Sequence, residues 1–140
     1  MQEVKYFCRV DDKTLDITIH KGGYSGTVIA TAVQNREKGG VTKITMTDEA
    51  LHMKQGHGLF ESDKTFFETH GKKVHWTGES ELTDDETHIT LATYKPKFWE
   101  TNDRKVGTLV VTPQGAEYVD AIVSSALVKQ ERTDEWEFEV

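Results

Sequence analysis

At 140 residues, 36% apolar and 29% charged, the chain is long enough to bury one core and has the composition of a soluble globule. Its formal net charge of -7 sets the mean field against nucleic acid and anionic membranes, and no run approaches the apolar length of a bilayer span, so neither a nucleic-acid partner nor a transmembrane segment is expected. Cys8 is the only cysteine, which excludes an internal disulfide, and Met1-Gln-Glu-Val-Lys-Tyr-Phe lacks the basic and apolar regions of a signal peptide; a reducing, cytoplasmic setting is expected, with leaderless export as the alternative.

Val4, Tyr6, Cys8 and Val10 alternate with Lys5, Phe7 and Arg9; Asp11-Asp12-Lys13 interrupts, and Leu15, Ile17 and Ile19 alternate with Asp16, Thr18 and His20, which together predict a hairpin. Lys21-Gly22-Gly23 turns the chain into a strand from Thr27 to Gln34, Asn35 to Gly40 turns it again, and Val41 to Thr47 is rich in β-branched residues. Shorter strands are predicted at Leu51 to Lys54, Leu59 to Glu61, Thr65 to Thr69, Val74 to Thr77, Ser80 to Leu82, His88 to Tyr94 and Val106 to Thr112. Between them lie turns at Gln55-Gly56-His57-Gly58, His70-Gly71-Lys72, Thr83-Asp84-Asp85-Glu86 and Thr112-Pro113-Gln114-Gly115, the last with proline and glycine where a type I turn prefers them.

Only Asp120 to Arg132 reads as a helix. Its Ala121, Ile122, Val123, Ala126, Leu127 and Val128 cover most of the circumference, and a helix apolar on nearly all sides has to be surrounded by protein. Beyond it, Trp136, Phe138 and Val140 alternate with Glu135, Glu137 and Glu139, a pattern that fits a final strand or a continuing helix over residues 133–140. No repeat or Pro/Ser-rich linker divides the chain, so residues 1–140 read as one domain. A mostly β (α+β) shell closed around one buried C-terminal helix is the architecture these patterns predict.

Phe66-Phe67, Gly71-Lys72-Lys73-Val74-His75-Trp76, Leu82, Ile89-Thr90-Leu91-Ala92-Thr93-Tyr94, Gly107-Thr108-Leu109-Val110-Val111 and Asp120-Ala-Ile-Val-Ser-Ser-Ala-Leu-Val with Glu131-Arg132 follow one another in an order that resembles the fungal tubby C-terminal-like domains, a family of unassigned function. The resemblance spans roughly residues 14 to 132 and is most specific in the glycine-basic turn before Trp76 and the Asp-Ala-Ile-Val opening of the helix. It implies a closed antiparallel β-barrel threaded by the hydrophobic helix. Similar domains in tubby proteins bind phosphoinositides, and related barrels occur in phospholipid scramblases and in a plant family of obscure role. Their lipid-contacting basic residues have no residue-by-residue match in this shorter, acidic chain.

Patterns that would carry catalysis are weak. His52 with His57, and His70 with His75, are spaced to converge across tight hairpins, but neither pair has a third ligand at a recognisable spacing, so no metal and no cofactor are expected. Cys8 lies in an apolar series, where a thiol is a small buried hydrophobe rather than a nucleophile. Gly23-Tyr24-Ser25-Gly26 lacks the spacing of a nucleophile elbow, and no helix opens after Gly22-Gly23 or Gly39-Gly40 to complete a phosphate loop. Asp84-Asp85-Glu86 shares only charge with a calcium loop, and the carboxylate pairs Glu61 with Glu68 and Glu79 with Glu81 have no separation that sequence can supply.

Tyr94-Lys95-Pro96-Lys97-Phe98-Trp99-Glu100-Thr101-Asn102-Asp103-Arg104-Lys105 is longer than a hairpin requires and concentrates aromatic and basic groups, as binding loops do. For a phospholipid, Lys95, Lys97, Arg104 and Lys105 hold the headgroup while Phe98 and Trp99 enter the interface; for a glycan, Trp99 stacks on a sugar and Asn102 and Asp103 bond its hydroxyls. The plain alternative is that Phe98 and Trp99 fold back as a hydrophobic cap. The sequence therefore predicts a noncatalytic module binding phospholipid or glycan. Second comes a protein that self-associates as a homo-oligomer through sheet edges such as Glu135 to Val140, and third an enzyme with a site on the side of the barrel.

Overall fold

The computed structural model describes residues 3–56, 58–78, 80–96, 107–130 and 134–139, apart from residues 34–40. Ten strands come first: β1 (Glu3–Val10), β2 (Ile17–Lys21), β3 (Thr27–Val33), β4 (Val41–Met46), β5 (Ala50–Gln55), β6 (Lys64–Thr69), β7 (Lys72–Thr77), β8 (Glu81–Asp84), β9 (Thr90–Pro96) and β10 (Gly107–Val111). A 3-10 turn (Pro113–Tyr118), the helix α1 (Val119–Gln130) and β11 (Asp134–Glu139) complete the fold. The segment after α1 is thus a strand, the first of the two readings its alternation allowed.

The eleven strands among the described residues form one sheet in the order β10-β9-β8-β7-β6-β5-β4-β3-β2-β1-β11, antiparallel throughout. Strand β11 returns to the first strand, with Tyr6 opposite Trp136 and Val4 opposite Phe138. The expected closed barrel is corrected here: β10 and β11 lie close together, but among the described residues no ladder joins them, so they remain the two edges of an open, curled sheet. Alternation could not reveal this, because an open and a closed sheet around one helix bury the same face of every strand.

The enclosed element is α1, whose residues 121–128 are all buried. Its inner surface meets Ile17, Ile19, Ile44, Leu51, Val74, Trp76, Leu82, Leu91 and Leu109 from the strands in a single cluster. Polar bonds tie it in place. Trp76 Nε1 donates to Ser125 Oγ at 2.9 Å in the core, and at the helix start Asp120 accepts from Tyr6 Oη at 3.1 Å and pairs with Lys21 at 2.8 Å.

Several local expectations are also revised. Residues 59–61 form no strand: Leu59 and Phe60 are 88% and 83% exposed in a loop between β5 and β6, so the apolar run there has no sheet to enter. Strand β8 continues through Asp84, which the sequence assigned to a turn. The Pro113 turn extends into a 3-10 helix, where a side chain on Gly115 would collide with the Leu91 carbonyl. Leu15 sits in the β1–β2 turn with φ +63° rather than in the second strand.

Candidate functional site

In an antiparallel meander, every second turn falls at the same end. Here the β4–β5 turn (residues 47–49), the β6–β7 turn (70–71) and the β8–β9 turn (85–89) gather there beside the 3-10 helix that follows β10. His70 and Gly71 join Thr69 to Lys72 as a two-residue loop with φ of +47° and +78°, the left-handed pair of a type I′ hairpin turn. Histidine tolerates that conformation better than most residues, and the turn aims its imidazole across to the neighbouring hairpin.

There it meets two carboxylates. His70 Nε2 lies 3.0 Å from Glu49 Oε2 and 3.6 Å from Asp48 Oδ2. Glu49 is itself held, accepting from Thr69 Oγ1 at 2.7 Å and from the His70 amide at 3.1 Å. Next to this group, Lys72 Nζ pairs with the buried Asp84 at 2.7 Å, and the amides of Glu86 and Thr87 donate to the same carboxylate at 2.9 and 3.3 Å. The Lys72 bond, assisted by those amides, holds the Asp84 carboxyl down at about 2, and the same bond raises the Lys72 ammonium. His75 is bonded through Nδ1 to Asp85.

A cleft of about 670 Å³ opens on the outer face of these strands. His52 and Lys54 of β5, Phe66 and Glu68 of β6, and Lys73 of β7 line it, with Asp48, Glu49, His70 and Asp85 at its end. It follows a weak seam: β5 and β6 have six residues each, yet only Lys54 with Phe66 and Gln55 with Thr65 pair in the ladder, and Glu49 bridges the far end through its side chain. The Phe66 ring packs 5.3 Å from His75, half-buried between polar neighbours. Four lining carboxylates (Asp48, Glu49, Glu68, Asp85) face two lysines (Lys54, Lys73), so the cleft is acidic. Two smaller cavities, about 580 and 290 Å³, also border His70.

Of the sequence candidates, His52 and His70 reach this cleft, while His57 lies outside the described residues. Cys8 is fully buried and its thiol is pushed up to about 12 by burial, as its strand position predicts. Gly22 and Gly23 form a plain turn with positive φ, and the Asp84 carboxylate is occupied by Lys72 and two turn amides. Glu61 is exposed in the β5–β6 loop, Glu68 lines the cleft, Glu81 accepts from Thr83 and Thr90, and Glu79 is outside the described residues. In the proposed binding loop, Tyr94 is buried in the core and Lys95 is exposed on β9; Lys97, Phe98, Trp99, Asn102, Asp103, Arg104 and Lys105 lie outside the described residues. Sequence reasoning missed Asp48, Glu49 and Phe66. Asp48 and Glu49 stand 22 and 21 positions before His70, and the signal for them was the polar Thr47-Asp48-Glu49 break between two apolar runs.

Residues 6–135 match the model of a family described as "Family of unknown function (DUF6593)", and the chain belongs to that family. No curated protein and no solved structure matches it. Among the described residues, no helix is long and apolar enough to cross a membrane.

Proposed function

We propose that this protein is a noncatalytic binding module whose ligand is a neutral glycan held in the outer-face cleft. The observation that carries this reading is the half-buried Phe66 ring in a cavity of about 670 Å³ flanked by carboxylates, lysines and histidines. An aromatic face accepts the apolar side of a sugar ring, and the surrounding donors and acceptors match hydroxyl groups. The excess of carboxylates disfavours the other ligand class, a phospholipid headgroup, by like-charge repulsion. The connection from Tyr94 to Lys105 remains part of the proposal as an additional contact loop with Trp99 as its anchor. Kinship with the fungal tubby C-terminal-like domains is likewise proposed from the sequence motifs. The enclosed apolar helix supports it, and the β10 and β11 edges, unjoined among the described residues, depart from it.

The test is a binding screen with neutral oligosaccharides and with phosphoinositide-containing vesicles at low and high salt. Glycan binding that is insensitive to salt and weakened by about 1 to 2 kcal/mol in Phe66→Ala is expected. Binding to vesicles alone, abolished by salt, or glycan binding unaffected by Phe66→Ala, refutes the reading.

A further inference from the structure

We propose that Asp48, Glu49 and His70 form a binding site for a first-row divalent transition metal of the Zn2+ class. One imidazole and two carboxylates are a ligand set such ions use, and the imidazole nitrogen argues against Mg2+ or Ca2+, which prefer oxygen throughout. The three donor atoms lie within 4.8 Å of one another. The imidazole is 3.0 Å from one carboxylate oxygen and 3.6 Å from the other. Bonds of about 2.0 to 2.2 Å in tetrahedral geometry separate ligand atoms by roughly 3.3 to 3.5 Å, between those two distances.

The ligands are also prepared from outside. Glu49 is oriented by the Thr69 hydroxyl and the His70 amide, and His70 is fixed by its two-residue hairpin turn, the kind of outer support that aims metal ligands. Without an ion the arrangement is poorly balanced: one imidazole nitrogen is shared by two carboxylates, 3.0 Å from Glu49 and 3.6 Å from Asp48, and among the described residues no other cation is paired with either. A divalent ion neutralises both. Cavities of about 670 and 290 Å³ border all three residues, leaving an open position for water or a ligand oxygen. The three ligands stand at the end of the cleft proposed for the glycan, but the assignment rests on their own geometry and metal uptake is read without glycan, so the two readings fail separately.

Titration of the chain with Co2+, followed by its visible absorption, and with Zn2+ by calorimetry tests the site. One ion per chain is expected, with affinity at least about tenfold weaker in Asp48→Asn, Glu49→Gln and His70→Asn. Asparagine is chosen at position 70 because it tolerates a left-handed backbone, and the Asp48 side chain is 64% exposed, so that variant keeps the fold even if Glu49→Gln does not. Cys8→Ser should bind as the unaltered chain does. No saturable uptake by the unaltered chain, or uptake unchanged in Asp48→Asn and His70→Asn, overturns the proposal.

Discussion

Asp84→Asn isolates one electrostatic contribution at the turn cluster. Asp84 is only 3% exposed, and its carboxylate is bonded to Lys72 and to the amides of Glu86 and Thr87. Asparagine retains an acceptor for the amides but leaves Lys72 without its counter-charge. The carboxyl titrates at about 2 in the folded chain against an ordinary 3.8. At about 1.4 kcal/mol per pH unit, that difference corresponds to about 2 to 3 kcal/mol of stability. Because the folded value is the depressed one, this stability is fully present above the ordinary carboxyl range and is lost as pH falls through about 2. Urea unfolding of both chains from neutral pH into acid measures it. The gap between them should be about 2 to 3 kcal/mol at neutral pH and shrink once the pH drops below the ordinary carboxyl range. A gap that is absent, or that stays constant through the acid limb, would show that the Lys72 pair contributes nothing and refute the reasoning.

Leu127→Ala should cost about 2 to 5 kcal/mol in thermal or urea unfolding, since Leu127 is buried on the enclosed helix; an unchanged melting temperature contradicts the packing of α1 inside the sheet. Cys8 should resist maleimide in the native chain and react once unfolded, because burial holds its thiol at about 12; rapid native labelling would place it elsewhere. Ser125→Ala should destabilise by about 1 to 3 kcal/mol by leaving the Trp76 indole N–H without its buried acceptor, and combining it with Trp76→Phe should cost less than the sum of the two. Trp99→Ala should weaken glycan binding by about 1 to 3 kcal/mol without unfolding the chain; intact binding with a large drop in melting temperature would make Trp99 a cap.

Strand periodicity made much of the fold legible. Tyr6, Cys8, Ile17 and Ile19 are buried at the positions where alternation put them, and the helix without a polar face is enclosed because no other placement hides Ala121 to Val128 from water. The candidate site was not legible in the same way. His70 stood in the sequence as a histidine in a tight turn, paired by spacing with His75. In the fold, His75 turns to Asp85, while His70 meets Asp48 and Glu49 because the β4–β5 and β6–β7 turns share one end of the meander. Phe66 looked like half of an apolar pair with Phe67, but period-two alternation sends Phe67 into the core and leaves Phe66 on the outer cleft.

What the sequence by itself determined is the set of choices made residue by residue: which faces are apolar, where glycine and proline turn the chain, and which segment needs to be surrounded. These follow from local sterics and the cost of exposing hydrocarbon, and they act over a few positions. The tertiary structure alone decided that β11 returns to β1, that among the described residues β10 and β11 stay unjoined as edges, and that three turns bring two carboxylates, an imidazole and an acidic cleft together. Those outcomes depend on register and curvature summed over the whole sheet, which no short window of sequence contains.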